Sequence, residues 1–284
     1  MPLSRRNFCG ALAASCAIAK SSAFGEEPKS IPLRVIAYNI YGLKGWPHQS
    51  DLAKQAVAEG QMVKRLASEL AKYQPDIINF SESPGEDLTK EVAELLGMHH
   101  VRFPSAGNWP GTLLSKFEII ESENVPLKDE RPKELFTRHW GRALLQLPNE
   151  DELIVHSAHL FPTADPTIRR KEIHAMLETM KDDLAAGRSM LLIGDLNHRP
   201  DTVEYGLWSK AGWIDTFAKV GHGDGPTIKA DIPKYRIDYI MAAGPIAERT
   251  FESRPLFEGA FRLNPDEQDA FALSDHLPQL AVFK

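Results

Sequence analysis

Met190-Leu191-Leu192-Ile193-Gly194-Asp195-Leu196-Asn197 is the stretch on which the fold turns. The four apolar residues Met190–Ile193 read as a strand, and Gly194-Asp195-Leu196-Asn197 after it places a carboxylate and an amide at the strand's end. The same arrangement recurs along the chain. Leu33–Tyr38 runs into Asn39, Asp76–Phe80 is soon followed by Glu82, and Leu153–His156 is followed by His159. Asp238 lies within Arg236-Ile237-Asp238-Tyr239-Ile240, and Ser274-Asp275-His276 stands just before a last strand, Pro278–Phe283. Turn chemistry accounts for any one of these residues alone. Together they form a set of carboxylates, amides and imidazoles without cysteine, which suits a hard, oxygen-preferring cation with acid–base partners rather than zinc.

Between these strands the periodicity changes. Leu52–Tyr73 has helical spacing through Leu52, Ala56, Met62, Val63, Leu66 and Leu70, and Leu88–Leu96 reads as a further helix. Pro166 opens a long amphipathic helix with an expected buried stripe of Ile173, Met176, Leu177, Met180 and Leu184. Thr112–Leu114, Glu118–Glu121 and Arg142–Leu147 are predicted strands, the last pairing with Leu153–His156 as a hairpin. Many strands with helices between them predict an α/β fold: a two-layer sandwich of mixed sheets flanked by helices.

The chain has 284 residues, 43% hydrophobic and 25% charged, which suits a folded globular protein. Its formal net charge of -6, from 33 basic and 39 acidic residues, argues against a mainly electrostatic, sequence-blind nucleic-acid binder. Residues 1–25 read as an export signal. Ser4-Arg5-Arg6-Asn7-Phe8 supplies a twin-arginine pattern, an Ala-rich apolar stretch follows, and Ala23-Phe24-Gly25 offers a small-x-small cleavage site. The apolar stretch is too short for a permanent span. Both cysteines, Cys9 and Cys16, lie in this segment, so the exported chain is expected to have no disulfide. A lipid anchor at Cys16 is the weaker variant, because Ala13 stands where such signals usually have Leu. Glu26–Ile31 reads as a tether, and no linker divides residues 26–284, which are expected to form one catalytic domain.

Seven short motifs occur in order: Tyr38-Asn39-Ile40; Pro75-Asp76-Ile77-Ile78 running to Glu82; Gly111-Thr112-Leu113-Leu114-Ser115; His159-Leu160; Gly194-Asp195-Leu196-Asn197; Arg236-Ile237-Asp238-Tyr239-Ile240; and Ser274-Asp275-His276-Leu277-Pro278. In these residues the chain resembles the endonuclease/exonuclease/phosphatase superfamily, which includes deoxyribonucleases, abasic-site endonucleases, neutral sphingomyelinases and inositol polyphosphate phosphatases. The resemblance runs from about Arg34 to the C-terminus and implies hydrolysis of phosphate esters with Mg²⁺ or Mn²⁺. Ser81 precedes Glu82 where many relatives have Gln, and Leu196 stands where many have Phe.

The resemblance implies a division of labour. Glu82 is the expected primary metal ligand, a hard anion, with Asn39 and Asp275 completing the shell directly or through water. His276 is the expected proton acceptor for the attacking water, and Asp238 would orient its imidazole and stabilise the imidazolium. Asp195 would orient or help deprotonate the water, Asn197 would hold a phosphate oxygen, and His159 would donate to the developing negative charge or the leaving group. His156 is three residues from His159, but along a strand the two point to opposite faces, so His156 is read as a core or edge histidine.

Substrate recognition has less signal. Arg138, His139 and Arg142 stand at a strand start, either reaching phosphate or lying on a solvated loop. The segment Phe251–Phe271 reads as buried packing or as a rim that touches substrate or lipid. Phosphodiesters (nucleic acid or phospholipid head groups) are the first expected substrates, with a phosphomonoesterase acting on small organic phosphates as the alternative. A calcineurin-type metallophosphoesterase would need an early Asp-x-His where Tyr38-Asn39-Ile40 stands. A non-catalytic exported binding domain would have no use for both Asp238 and His276.

Overall fold

Twelve strands fall into two six-stranded sheets in the computed structural model, which describes residues 1, 32–148, 151–264, 266 and 270–284. Apart from Met1, the export signal read in residues 1–25 and the tether Glu26–Ile31 lie outside the described residues. The first half of the chain runs β1 (Leu33–Asn39), α1 (Asp51–Ala58), α2 (Met62–Ala71), β2 (Ile77–Ser81), α3 (Glu86–Leu96), β3 (His99–Phe103), β4 (Gly111–Ser115), β5 (Glu118–Asn124) and β6 (His139–Gln146). The second runs β7 (Glu152–His159), α4 (Thr167–Ala185), β8 (Met190–Asp195), α5 (Val203–Lys210), β9 (Ile214–Asp215), α6 (Thr216–Val220), β10 (Asp238–Ala243), α7 (Pro245–Glu248), β11 (Thr250–Pro255) and β12 (Gln279–Phe283).

One sheet has the order β11-β12-β1-β2-β4-β3 and the other β5-β6-β7-β8-β10-β9. Each is mixed. In the first β1 pairs parallel with β2, in the second β7 pairs parallel with β8, and the remaining pairs are antiparallel. The expected α/β sandwich is the observed one.

The two-residue period of a strand sorts the core into layers. Val35 and Ala37 of β1, Val155 of β7, Leu191 and Ile193 of β8 and Ile240 of β10 pack together between the sheets. Ile36, Tyr38, Ile78 and Phe80 face outward beneath α2 and α3, against Leu66, Leu70 and Val92. Trp140, Ile154, Leu192 and Met241 face outward beneath α4 and α5, against Ile173, Met176, Met180 and Trp208. Leu177 and Leu184, expected in the α4 stripe, are only partly buried at its margin.

The single helix expected over Leu52–Tyr73 is two. Gly60 between α1 and α2 takes φ +66°, which an L side chain rarely adopts, and the chain turns there. β10 begins at Asp238, so Arg236 lies before the strand. The Arg236 guanidinium turns away to bond Asp215 at 2.6 Å, with the Phe217 and Tyr239 rings on it. Of the four phenylalanines in the segment read as packing or rim, Phe261 is buried edge-on against Tyr38 and Phe257 and Phe271 pack partly against the same layer. Phe251, on β11, is exposed. No helix among the described residues is long and apolar enough to cross a membrane.

Candidate active site

The inward-facing positions that make the central core end, at one edge of the sandwich, in polar residues. Val35 and Ala37 are followed at the same spacing by Asn39, Val155 and Ser157 by His159, and Leu191 and Ile193 by Asp195. Because β10 runs antiparallel to β8, its first residue, Asp238, pairs directly with Asp195. His159 pairs with Asp195 from the other side. β12 runs antiparallel to β1, with Gln279 opposite Ala37, so the turn before it carries Asp275 and His276 to the end where Asn39 lies. Topology alone thus gathers residues from five strands over the mouth of the core.

The glycine of Gly194-Asp195 is required there. Its φ is +145°, and a Cβ would collide with the carbonyl oxygen of Ala158 on β7. Glu82 and Asn197, just after β2 and β8, also have left-handed backbones, with φ of +52° and +51°. Such conformations are uncommon for side chains of this kind, and they turn the chain sharply at the site.

Asp195 is the hub. Its Oδ2 accepts from Asn39 Nδ2 at 3.1 Å and lies 3.6 Å from His159 Nε2 and 3.9 Å from His276 Nε2. Its Oδ1 accepts the backbone N–H of Asn197 at 3.1 Å. His276 Nδ1 is bonded to Asp238 Oδ2 at 2.9 Å, which fixes the ring with Nε2 toward Asp195. Ser274 Oγ locks this turn in place: it donates to the carbonyl of Asn39 at 2.6 Å and accepts His276 N–H at 3.1 Å. Thr227 does the same for the opposite wall. Its hydroxyl oxygen accepts Asp238 N–H at 3.3 Å, while its carbonyl accepts Leu277 N–H at 2.7 Å.

Burial and like charge perturb these groups strongly. Burial, then the neighbouring Asp238 carboxylate, pushes Asp195 up to about 7. For His276 burial opposes protonation, but Asp238, Asp195 and Asp275 outweigh it and raise the imidazole to about 10. His159 goes the other way: burial, then the nearby His139 and Arg138, hold it well below the usual range, so it is a neutral donor.

Glu82 and Asp275 stand at the outer side of the cluster. Burial is the main cause that raises Glu82, the Asn39 amide, His276 and Arg138 lower it, and the Asp275 carboxylate raises it further. Asn39 therefore serves two carboxylates, Asp195 and Glu82, while its Oδ1 accepts the N–H of Tyr41 at 3.1 Å. Two partly buried carboxylates, with Arg138 Nη1 3.7 Å from Glu82, make a hard donor set with excess negative charge. That set fits a divalent cation of the Mg²⁺ type. Asp195, Asp238 and His276 also place ligand atoms within 4.8 Å of one another. Mg²⁺ keeps several waters in its shell, however, so the more open Glu82–Asp275 side suits it better than the enclosed triad.

All eight expected site residues reach this one edge. Asn197 does so with its side-chain amide donated to the carbonyl of Leu160 at 3.0 Å, and it is half-buried. His156 is a core residue, accepting the indole N–H of Trp140 at 3.3 Å, with burial lowering it to about 3. The three residues grouped at the start of β6 part company. Arg138 enters the site beside Glu82 and lies 4.0 Å over the Trp109 ring. His139 is buried against Ser157 Oγ at 3.0 Å, and Arg142 faces Glu121. Trp109 and Thr227 were not singled out by the sequence reading, because both lie in loops without periodicity. Leu196 is fully buried under α4 and α5, a packing role, and Ser81 lies in register with Asn39.

The fold, the order of the motifs and the polar edge define one class of protein: the chain belongs to the Endonuclease/Exonuclease/phosphatase family, whose model matches residues 36–276. Members of this family are phosphoesterases and generally use divalent metals. Similar solved structures include a mannosyl-6-phosphatase from Bacteroides thetaiotaomicron, 17% identical with a TM-score of 0.69, the match covering 89% of this chain and all of that one (100%). Truncated TDP2 from Caenorhabditis elegans is 17% identical with a TM-score of 0.64, covering 89% of this chain and 97% of that one. A functionally unknown conserved protein from Enterococcus faecalis is 15% identical with a TM-score of 0.68, covering 88% and 99%. At these identities the likeness is one of fold. No curated protein matches the chain.

Proposed function

We propose that the chain is a hydrolase of phosphate esters dependent on Mg²⁺ or Mn²⁺, with Glu82, Asp275 and Asn39 holding the cation directly or through water. When bound, such a cation withdraws charge from a phosphate oxygen and so favours both attack and departure. The observation that carries this reading is the Asp238–His276–Asp195 chain, at 2.9 and 3.9 Å, opening onto the two outer carboxylates. A water attacking phosphorus would release its proton to Asp195 Oδ2, held near 7, while His276, kept protonated by the carboxylates around it, faces that oxygen with Nε2 and sets its proton affinity. Asp238 holds the ring in place through Nδ1. His159, neutral, donates a hydrogen bond to developing negative charge, and Asn197 holds a phosphate oxygen.

Phosphodiesters are the first substrate class to test. A compact cavity of about 460 Å³ beside Glu82 favours a second reading, a monoester of a small molecule, and the likeness to a mannosyl-6-phosphatase agrees with it. Hydrolysis of bis(p-nitrophenyl) phosphate and p-nitrophenyl phosphate, with Mg²⁺ and then with EDTA, separates the two. Cleavage of neither substrate under any divalent metal would contradict the hydrolase reading and favour a binding domain.

The twin-arginine pattern and the small-x-small site support export to the periplasm or beyond, with residues 1–25 removed. Mass spectrometry of the exported chain should show neither Cys9 nor Cys16. Retention of either would refute this cut.

A further inference from the structure

We infer that the cavity beside Glu82 recognises a second anionic group, phosphate or carboxylate, carried by the substrate apart from its reacting phosphate; this rests on the hydrolase reading above. The cavity is bounded by Glu82 on the catalytic side and by Ser83, Lys44, Arg102, Asn108 and Trp109 around it. Arg102 projects from β3, opposite Thr112 of β4, and is half-buried. Its Nη1 and the hydroxyl of Ser83 are both enclosed and have no hydrogen-bond partner. A buried guanidinium N–H left in this way is costly, and a turn of the Arg102 side chain toward the cavity would let a ligand oxygen meet it, an anion best.

The charges of the wall point the same way. Arg102 forms no ion pair among the described residues, and Glu86 acts on it only at longer range. Lys44 lies 5.3 Å over the Tyr41 ring, likewise without an ion pair among the described residues. The one acid in the wall is Glu82, which the cation would occupy. A larger groove on the other side of the site, about 560 Å³ past Asn197, makes the contrast plain. Its arginines are neutralised by acids, Arg169 and Arg170 by Glu204 and Arg199 by Asp201, although Nε of Arg169 and of Arg170 is enclosed without a partner. The Arg138 guanidinium lies 4.0 Å over one face of the Trp109 ring and adds positive charge behind the wall. The cavity therefore reads charge.

The second anion could belong to a small bisphosphate or to the neighbouring phosphate of a nucleic-acid strand. Two substrate pairs distinguish these sources with the full-length, Mg²⁺-loaded protein: glucose 1,6-bisphosphate against glucose 6-phosphate, and a thymidine dinucleotide with and without a 5′-phosphate. The expected result is a preference for the more anionic member of one pair, which identifies the source. That preference should fall about tenfold in Arg102→Met and in Lys44→Met, through KM rather than kcat, with Arg102→Lys recovering part of it. No preference in either pair, or a preference that both Met variants keep, overturns the inference. Should the wild type hydrolyse none of the four, the hydrolase reading fails but the cavity is still decided by calorimetry. Glucose 1,6-bisphosphate should then bind metal-free wild type about tenfold more tightly than metal-free Arg102→Met. Equal binding, or none, overturns the assignment.

Discussion

Asp195, Asp238 and His276 are almost wholly enclosed and bonded to one another's surroundings, whereas Glu82 and Asp275, on the same edge, are only partly enclosed. The inner acids have protein partners within hydrogen-bond reach: the amide of Asn39 and the backbone of Asn197 for Asp195, and the imidazole of His276 for Asp238. Of the outer acids, Glu82 shares the Asn39 amide with Asp195 and has Arg138 at 3.7 Å, Asp275 has only a long bond of 3.4 Å from Ser274 Oγ, and the two repel one another. Groups satisfied internally are fixed in position and suited to handling a proton, while groups left with surplus charge at an opening are suited to a cation. The difference divides one cluster of carboxylates into two functions.

Removing the inner groups should break this comparison most severely. His276→Ala should lower turnover by on the order of 10²–10⁴, the range for a positioned acid–base group. Asp238→Asn, which removes the charge that raises His276, should be comparably severe, measured as kcat on a p-nitrophenyl ester. An outer substitution should act differently. Glu82→Gln should weaken apparent Mg²⁺ affinity by at least the 10–100-fold expected when a metal's outer support is altered, and high Mn²⁺ should recover part of the activity. If metal titration curves of Glu82→Gln and wild type coincide, Glu82 is not a ligand.

Glu172 offers a purely structural contrast to both. Its two oxygens accept the backbone N–H groups of Phe136 and Phe161 at 2.7 and 2.9 Å, yet burial raises it to about 7 from an ordinary 4.5. Folding thus favours its protonated form. The contribution is unaffected below about pH 4.5, declines as pH rises to about 7, and is constant above that. Relative to Glu172→Gln, the wild type should lose on the order of 1–3 kcal/mol across that window in denaturant titrations. A pH-independent gap between the two proteins would mean that Glu172 keeps its charge in the fold. The smallest effect on turnover belongs to His156→Ala, which leaves the Trp140 indole without its acceptor. It should cost about 1–3 kcal/mol of stability and leave kcat near that of the wild type.

The inner region was the more legible of the two in the sequence, for a physical reason. Asn39, Asp195 and Asp238 sit in or at the ends of continuous apolar strands, so the period that predicts each strand also predicts which side chain meets the core. The parts that escaped lack such a frame. β3, His99-His100-Val101-Arg102-Phe103, is an edge strand with mixed polarity, and its Arg102 carried no signal. β11 was hidden inside a segment read only for its phenylalanines. Arg138 reaches Glu82 because the two residues, 82 and 138, are brought together across the sandwich, a proximity that no local pattern encodes. The break at Gly60 was visible as a glycine but outweighed by the apolar spacing on either side of it.

The central claim is that Asp238 and His276 form one proton-handling unit in a phosphate-ester hydrolase, and a double-mutant cycle tests it most directly. Single-turnover hydrolysis of bis(p-nitrophenyl) phosphate, or of p-nitrophenyl phosphate if that is the better substrate, would be measured at saturating Mg²⁺ for wild type, Asp238→Asn, His276→Ala and the double variant. The account predicts that the double variant loses little more than the worse single one, because either change disables the same unit. A double variant whose loss equals the product of the two single losses would contradict it and mean that Asp238 and His276 act independently.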